Sequence, residues 1–406
     1  MSGKPLRCEV AIAGGGMVGL SLAASLAGLP LDVAVIEPVA PDADDQPSFD
    51  ARTTALSSGS RRVLEGIGTW PAFASQATPI RRIHVSERGR FGTAILEAGE
   101  QGLPALGYTI ENRLLGRALR ERVAGLPRVR LVPARVAGLQ TRGDSVRLAT
   151  DIAGTVEAKL VVAADGAQSV ARAALGIGAS VADYGQHAII AHVDTTRFHD
   201  YTAYERFTDT GPIAVLPIVE GRSAVVWTLA NEAARQALAL DDGAFLAGLQ
   251  QAFGLRLGRF ARVGRRQAYP LALTTAESLV APRAAVIGNA AQSLHPVAGQ
   301  GFNLALRDVA MLAELLAEGG DPGAPDMLAR YATGRAPDRD AVVRFTDALV
   351  RGFGLPLGPL GRARGQGLLL FDLLRPVKRE FARRTMGLAG RQPRLVRGLP
   401  LAGGRA

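Results

Sequence analysis

The stretch Val10–Leu20, VAIAGGGMVGL, constrains the fold more than any other part of the chain. The apolar run Val10 to Ala13 predicts a buried strand. It runs into Gly14, Gly16 and Gly19, spaced G-x-G-x-x-G, and Leu20 to Leu29, rich in Ala and Leu, predicts a helix. Each glycine has a physical task in such a turn. Gly14 permits the tight bend, Gly16 lets a pyrophosphate approach the backbone, and Gly19 lets the helix pack close on the strand. Free N–H groups and the positive dipole at the helix start attract phosphates. A second apolar strand, Val33 to Ile36, ends in Glu37. A carboxylate there can accept from both hydroxyls of an adenosine ribose and would repel a 2′-phosphate. Strand, turn, helix, strand and acid together predict a dinucleotide site. They do not separate NAD from FAD, which are gripped alike.

Length and charge narrow the surroundings of that unit. At 406 residues the chain has room for two or three domains and a large core. Cys8 is the single cysteine, so no intramolecular disulfide or Cys-based metal site is expected, which suits a reducing cytosol. No secretory signal or membrane span is expected. The net charge of +10 is concentrated at one end. From Arg351 to Ala406 there are 12 basic and 2 acidic residues, and the first 350 residues carry 35 of each. A basic tail with apolar blocks points to an anionic surface. Nucleic acid is disfavoured, because the charge is confined to the tail and few aromatics accompany it.

Further along, Pro38 to Pro47 reads as a loop, and FDARTTAL (Phe49 to Leu56) leads into a helix near Ser57 to Ile67. Arg52 fits two readings, a pyrophosphate contact and a surface salt bridge. Short strands are predicted at Ile83 to Val85 and Thr93 to Leu96, and a helix over Tyr108 to Arg122 with Leu115 and Leu119 on one face. Strand signals recur at Val129 to Val132, Val146 to Ala149 and Val156 to Leu160. Leu160 to Ala164 reads as a strand buried on both faces. It ends in Asp165-Gly166, where ligands of open α/β sheets gather, with Ser169 and Arg172 beyond. Ala188 to Leu229 is β-rich and predicts an antiparallel sheet. Asn231 to Phe253 reads as helical, and Phe260 to Leu271 as a strand. Trp227 and Tyr269 read as core aromatics. Val286 to Ala291 predicts a strand meeting Gly288 and Asn289. His295, Pro296, Gly299 and Gly301 form a loop feeding a helix, Asn303 to Leu316, whose start is a second anion-friendly end. Leu368 to Leu374, followed by Arg375, Lys378, Arg379, Arg383 and Arg384, draws as a basic amphipathic helix. Contact with a membrane surface and docking on the protein's own body or a partner both fit it.

No acid–base or metal cluster announces a reaction, and neither H-E-x-x-H nor G-x-S-x-G occurs. His295 reads as a base or, more simply, as a structural histidine of a Gly/Pro loop. Chemistry carried by a cofactor suits this picture. Glu37, Asp165 and Asn289 each follow a buried strand, and three such ends could line one elongated ligand.

Four segments together, AGGGMVG with Glu37, FDARTTAL with Arg52, AADGAQSVAR with Asp165, and GNAAQSLHPVAGQGFNLALRD, resemble the FAD-dependent aromatic hydroxylases of the para-hydroxybenzoate hydroxylase type. YERFTDTGPIAVLP, FGLRLG and RRQAYPLALT are most similar to the ubiquinone-biosynthesis group, which acts on 2-polyprenyl-6-methoxyphenols. The resemblance spans nearly the whole chain. It implies FAD, NAD(P)H and O2, with hydroxylation of a polyprenylated phenol by oxygen carried on the flavin. It places Gly14, Gly16, Gly19 and Glu37 on the ADP half of FAD, Arg52 on the pyrophosphate side, and Asn112 or Arg113 near the nucleotide. Asp165-Gly166 matches a motif linked to both FAD and NAD(P)H. Gly288-Asn289 falls where the wider family has an Asp contacting the ribityl chain; an amide can still hydrogen-bond a hydroxyl. His295, Pro296, Gly299, Gly301, Phe302 and Asn303 would border the isoalloxazine, and PIAVLP (Pro212 to Pro217) would wall the site.

The implied fold is α/β: a Rossmann-like FAD-binding domain from residues 1–75, 100–180 and 278–345, a β-rich substrate domain from 76–99 and 181–277, and a basic helical C-terminal region, 346–406. Membrane contact at the inner face and membership of a quinone-biosynthesis complex are further expectations. The rival readings are a hydroxylase of another ring position, a flavin-dependent prenyl reductase, a non-catalytic flavoprotein assembly subunit and a plain NAD dehydrogenase.

Overall fold

Apolar strands of three to nine residues, each stopped by a polar or glycine turn, are best buried side by side with other elements packed over the sheet. The computed structural model, which describes residues 4–39, 50, 52–152, 154–354 and 360–401, shows that arrangement. The strands Ala284–Val286, Thr155–Ala163, Leu6–Ala13, Val33–Ile36 and Val129–Val132 lie parallel in that order. Their registers pair Val286 with Ala163, Ala163 with Ala13, and Ala13 with Ile36, so their carboxyl ends are level. Val10, Ala11, Ile12, Leu160, Val161 and Val162 are wholly buried, as expected of strands covered on both faces. The helices Met17–Ser25 and Gln300–Ala317 pack together over this sheet.

A second sheet runs Gln292–Ser293, Gln267–Ala276, Ala179–Thr195, Ser223–Ala230, Gly211–Pro217, Thr202–Thr208, Arg82–Glu87, Thr93–Glu97. It is antiparallel except where Thr202–Thr208 runs parallel to Arg82–Glu87. One face is covered by the helices Asn231–Ala239 and Asp242–Phe253, with Ile189, Ile213, Trp227, Phe245 and Phe253 as its core. Trp227 is thus a core aromatic. Tyr269 is only half-buried and serves elsewhere, as described below.

Several boundaries differ from the sequence-based expectation, each for a local reason. The first helix begins at Met17, with Gly16 as its extended N-cap, so Gly19 lies inside the helix rather than before it. Gly107–Glu111 is a strand, paired with both Thr53–Ser57 and Thr78–Ile80; the helix starts at Asn112 and runs to Ala124. Tyr, Thr and Ile in that stretch favour the strand once two partners are available. The strand expected over Val286 to Ala291 stops at Val286, because Gly288 turns with φ +61° against Val18. Asn231 to Phe253 breaks at Leu240, where Asp241 caps a second helix by accepting from Ala244 N at 2.8 Å. Phe260 to Leu271 divides into Phe260–Val263 and Gln267–Ala276. Most of the loop expected over Pro38 to Pro47, and Phe49, lie outside the described residues.

The C-terminal region is helical, as Leu360–Leu373 and Arg375–Thr385, and it docks on the body of the protein. Gly59 N donates to Met386 O at 3.2 Å, and Gln300 Nε2 donates to Thr385 O at 3.3 Å. Lys378, buried among basic neighbours, is paired with Glu100 at 3.2 Å and Asp372 at 3.4 Å. The outer face is different. Leu370, Leu373, Leu374 and Val377 are exposed beside Arg375, Arg379, Arg383 and Arg384. No helix among the described residues is long and apolar enough to cross a membrane.

Candidate active site

The glycine turn is closed by contacts that leave no room for side chains. A Cβ on Gly14 would lie 2.6 Å from Ala164 O, and Gly14 has φ +106°. A Cβ on Gly19 would lie 1.9 Å from Gly14 O. A Cβ on Gly15 would lie 2.7 Å from that of Glu37. Glu37 accepts from Gly15 N at 2.7 Å and Val39 N at 3.0 Å, so the acid is fixed at the strand end beside the turn. A cleft of about 30 Å³ opens there, lined by Gly15, Glu37, Arg120 and Pro133 among others. This cradle fits the ADP half of a dinucleotide: a bare helix start for phosphates and a carboxylate for a ribose.

The three polar strand ends lie on one edge of the sheet. Glu37 and the strand leading to Asn289 are three strand spacings apart, about 14 Å, with Asp165 between them. Their side chains are not equally available. Asn289 is exposed. Asp165 accepts from Ser169 Oγ and from Ala171 N (2.9 Å), so both carboxylate oxygens cap the helix Val170–Ala174. Gly166, at φ +91°, makes the turn that brings them there.

Arg52 forms an ion pair with Asp50 at 2.6 Å and stacks on the Tyr269 ring at 4.6 Å, while Tyr269 donates to Asp50 at 3.0 Å. These contacts tie the segment before the strand Thr53–Ser57 to the second sheet, and Tyr269 is a bridging residue rather than a core aromatic. Asn112 is buried, accepting from Thr54 Oγ1 at 2.6 Å, and Arg113 pairs with Glu111 at 2.6 Å.

Between residues 295 and 303 the chain makes two unusual turns. Ala298 has φ +59°, a left-handed conformation rare outside glycine, followed by Gly299 at the same φ. Asn303 holds this loop: it accepts from Ser57 N at 2.8 Å and donates to Ala55 O at 2.8 Å and Gly299 O at 2.6 Å. His295 is buried; its Nδ1 accepts from Val297 N at 3.1 Å and its ring meets Tyr184 edge-on at 5.4 Å. Burial lowers its pKa to about 4, so it is neutral at physiological pH. It does not line the cavity beside it.

That cavity has a volume of about 290 Å³. One wall is the loop, with Val297 and Ala298; a second is the sheet, with Val85, Leu96 and Phe207; the third is the C-terminal helices, with Phe371 and Phe381. Pro212 to Pro217 does not line it, because Ile213 and Val215 point into the helix-covered core instead. The lining is apolar except for Ser57, Gln300, Asn303, Thr385 and one ionisable group, Glu205.

Glu205 was not anticipated from the sequence. It is half-buried and lines the cavity. Desolvation raises its carboxyl pKa to about 7, against an opposing hydrogen bond from the Ala298 backbone. One signal could have revealed it. Side chains alternate along a strand, so Glu205 shares a face with Ala203 and Phe207, an acid on an apolar stripe.

Beneath the loop lies a buried charge network. Asp308 accepts from Gly288 N at 3.2 Å, Gln292 Nε2 at 2.8 Å and Arg335 Nε at 2.8 Å. Arg335 also pairs with Asp338, which pairs in turn with Arg307, both at 2.7 Å. Through Gly288, this network sets the position of the strand end that carries Asn289.

Comparisons with known proteins agree with this geometry. The chain is 40% identical to the ubiquinone hydroxylase UbiL of Rhodospirillum rubrum, over 97% of this chain and 93% of that one. It is 34% identical to the 3-demethoxyubiquinol 3-hydroxylase of Escherichia coli, over 94% and 98%. Among solved structures it is similar in fold to the p-nitrophenol 4-monooxygenase PnpA of Pseudomonas putida, with a TM-score of 0.77 and 21% identity, covering 95% of this chain and 100% of that one. A family model described as FAD binding domain matches residues 7–346, and with the glycine cradle, the strand-end acid and a shared sheet edge in place, the chain belongs to this FAD-binding family.

Proposed function

We propose that the protein is an FAD-dependent monooxygenase that hydroxylates the ring of a polyprenylated phenol on the route to ubiquinone, using NAD(P)H and O2. The observation that carries this reading is an apolar cavity meeting the 295–303 loop at one wall and the C-terminal helices at another. FAD, reduced by NAD(P)H, supplies activated oxygen when bound. The chain's own residues do the rest. Gly14, Gly16, Gly19 and Glu37 hold the ADP half, and Arg52, Asn112, Arg113, Asp165, Gly166, Gly288 and Asn289 border the middle of the cofactor. Pro296, Gly299, Gly301, Phe302 and Asn303 shape the ring end, with Asn303 acting through the backbone it clamps. The helix start at Gln300 favours negative charge nearby. The apolar walls exclude water, which strengthens every polar contact inside. Residues 1–75, 100–180 and 278–345 form the cofactor domain in this reading, 76–99 and 181–277 the substrate domain, and 346–406 the wall and docking region.

A prenyl chain gains about 0.8 kcal/mol for each CH2 removed from water, so such a substrate resides in a membrane. The helix Leu360–Leu373 suits retrieval from there. Leu368 and Phe371 line the cavity, while Leu370 and Leu373 face outward beside arginines. We assign this face to an anionic bilayer surface. Full burial of a leucine is worth about 2 kcal/mol, so Leu370→Ser/Leu373→Ser should lower partitioning onto anionic vesicles by well over tenfold. Equal sedimentation of wild type and double variant with such vesicles would remove this assignment.

The function itself is tested by incubating the FAD-loaded protein with NAD(P)H, O2 and short-chain prenylated phenols. Mass spectrometry should show a gain of one oxygen on the ring. NAD(P)H oxidation yielding only peroxide with every such phenol would refute ring hydroxylation and favour a flavoprotein of another kind.

A further inference from the structure

We propose that Glu205 is the general base of this site, taking the phenolic proton of the substrate as the neighbouring ring carbon gains its hydroxyl. The inference rests on the ring-hydroxylase reading and adds a residue to it. Glu205 lies on the strand Thr202–Thr208, in register with Val85 on one side and Ala214 on the other. Tyr204 and Arg206 occupy the opposite face: the Tyr204 ring meets Phe253, and Arg206 donates to Ala252 O. Glu205 is therefore on the cavity face, and among the described residues it is the one ionisable side chain lining that cavity. Among the described residues no Lys, Arg, His, Asp or Tyr of the second sheet, the 295–303 loop or the C-terminal helices joins it there.

The polar neighbours are committed elsewhere. The Asn303 amide is spent on Ser57, Ala55 and Gly299, and the Gln300 NH2 donates to the Ala298 and Thr385 carbonyls. Glu205 instead meets the backbone of Ala298, at the strained turn of the loop that faces the cofactor side. An acid is thus held between the substrate cavity and that loop, in surroundings otherwise apolar. A neutral acceptor could take the Ala298 backbone hydrogen bond at lower cost, so that contact does not by itself call for a group able to carry charge. Ring hydroxylation does need a base, because electrophilic oxygen is captured by an electron-rich carbon and a phenolate is richer than a phenol.

The phenolic O–H bond breaks, its proton passes to the Glu205 carboxylate, and its electron pair enters the ring. A C–O bond forms at the carbon ortho or para to the oxygen, using one atom of O2; the other leaves as water, with both electrons drawn from NAD(P)H. The ring C–H proton passes to the oxygen that leaves as water, which restores aromaticity, and Glu205 returns its proton to the ring oxygen. A carboxyl whose pKa is pushed up to about 7 is a competent base at neutral pH.

The test uses FAD-loaded wild type, Glu205→Gln and Glu205→Asp, with a short-chain prenylated phenol that the wild type hydroxylates. Wild-type kcat/KM should rise with pH through a midpoint near 7, because the carboxyl must lose its proton to act. Glu205→Gln should lose that acid limb and lower product formation by about 10²-fold. Its flavin spectrum and its reduction by NAD(P)H should be unchanged, with electrons diverted to peroxide. Glu205→Asp should restore part of the rate and the pH dependence, which a purely structural role would not produce. A Glu205→Gln protein with wild-type product yield and an intact acid limb overturns the base and leaves the hydroxylase reading standing. A wild type that hydroxylates no phenol overturns both.

Discussion

Gly19→Ala is expected to yield a colourless protein whose FAD affinity has fallen by about 10²–10⁴-fold, the loss of two charge-assisted hydrogen bonds to phosphate. The alanine Cβ would lie 1.9 Å from Gly14 O and 3.2 Å from Ile12 Cγ2. The neighbour on that side is backbone, so it cannot swing away. Either the helix Met17–Ser25 lifts off the sheet or the turn opens at Gly14, whose φ of +106° already belongs to glycine alone. In both cases the N–H groups at the helix start leave the phosphate position. The apoprotein should still fold, since the sheet beneath is held by Val10, Ile12, Val161 and Val162. Titration of FAD by fluorescence quenching measures the loss. A yellow Gly19→Ala protein with wild-type affinity would show that the cradle is not where phosphate binds.

Arg335→Ala should be the most destabilising single change in the interior, costing about 3–5 kcal/mol, the range for removing one partner of a buried ion pair. Arg335 and Asp308 are 4% and 3% exposed and 2.8 Å apart. Burial opposes the charge of Arg335, but Asp308 and Asp338 more than offset it, so its guanidinium holds its proton even above the usual range. Without it, Asp308 keeps only the neutral donors Gly288 N and Gln292 Nε2. Asp338 keeps Arg307, so the damage should centre on Asp308 and on the Gly288 turn it supports. Urea unfolding of the apoprotein followed by circular dichroism reads the cost. A loss below about 1 kcal/mol would mean that water or rearrangement replaces the missing charge.

The glycine turn and the parallel strands around it were legible because their signals are local. A strand buried on both faces must be apolar throughout, so Val10 to Ala13, Val33 to Ile36 and Leu160 to Ala164 announce themselves. Glycine spacing reports backbone conformation, and the φ of Gly14 and the contact of Gly19 are what that spacing encodes. Boundaries were less legible. Gly107–Glu111 has a residue pattern that two strand partners convert from helix to sheet, and those partners lie at residues 53–57 and 78–80.

The cavity was not legible at all. Its walls come from residues 55–57, 80–107, 205–207, 297–303 and 345–386, which no local pattern connects. Glu205 became part of a cavity wall only when the 295–303 loop and the C-terminal helices packed beside its strand. Of the two readings of the basic tail, the fold realises docking on the protein's own body, with one side of the helices serving as a cavity wall and the other left outside.

By itself, then, the sequence determined the dinucleotide cradle and the parallel strands around it, because hydrophobic period and glycine conformation act over a few residues. The tertiary structure alone decided which polar groups are spent on capping and clamping and which remain for chemistry. Burial of Asp308 and Asn303, and the place of Glu205 in the cavity wall, depend on segments tens to hundreds of residues away, and only their packing sets the local dielectric and the hydrogen-bond partners.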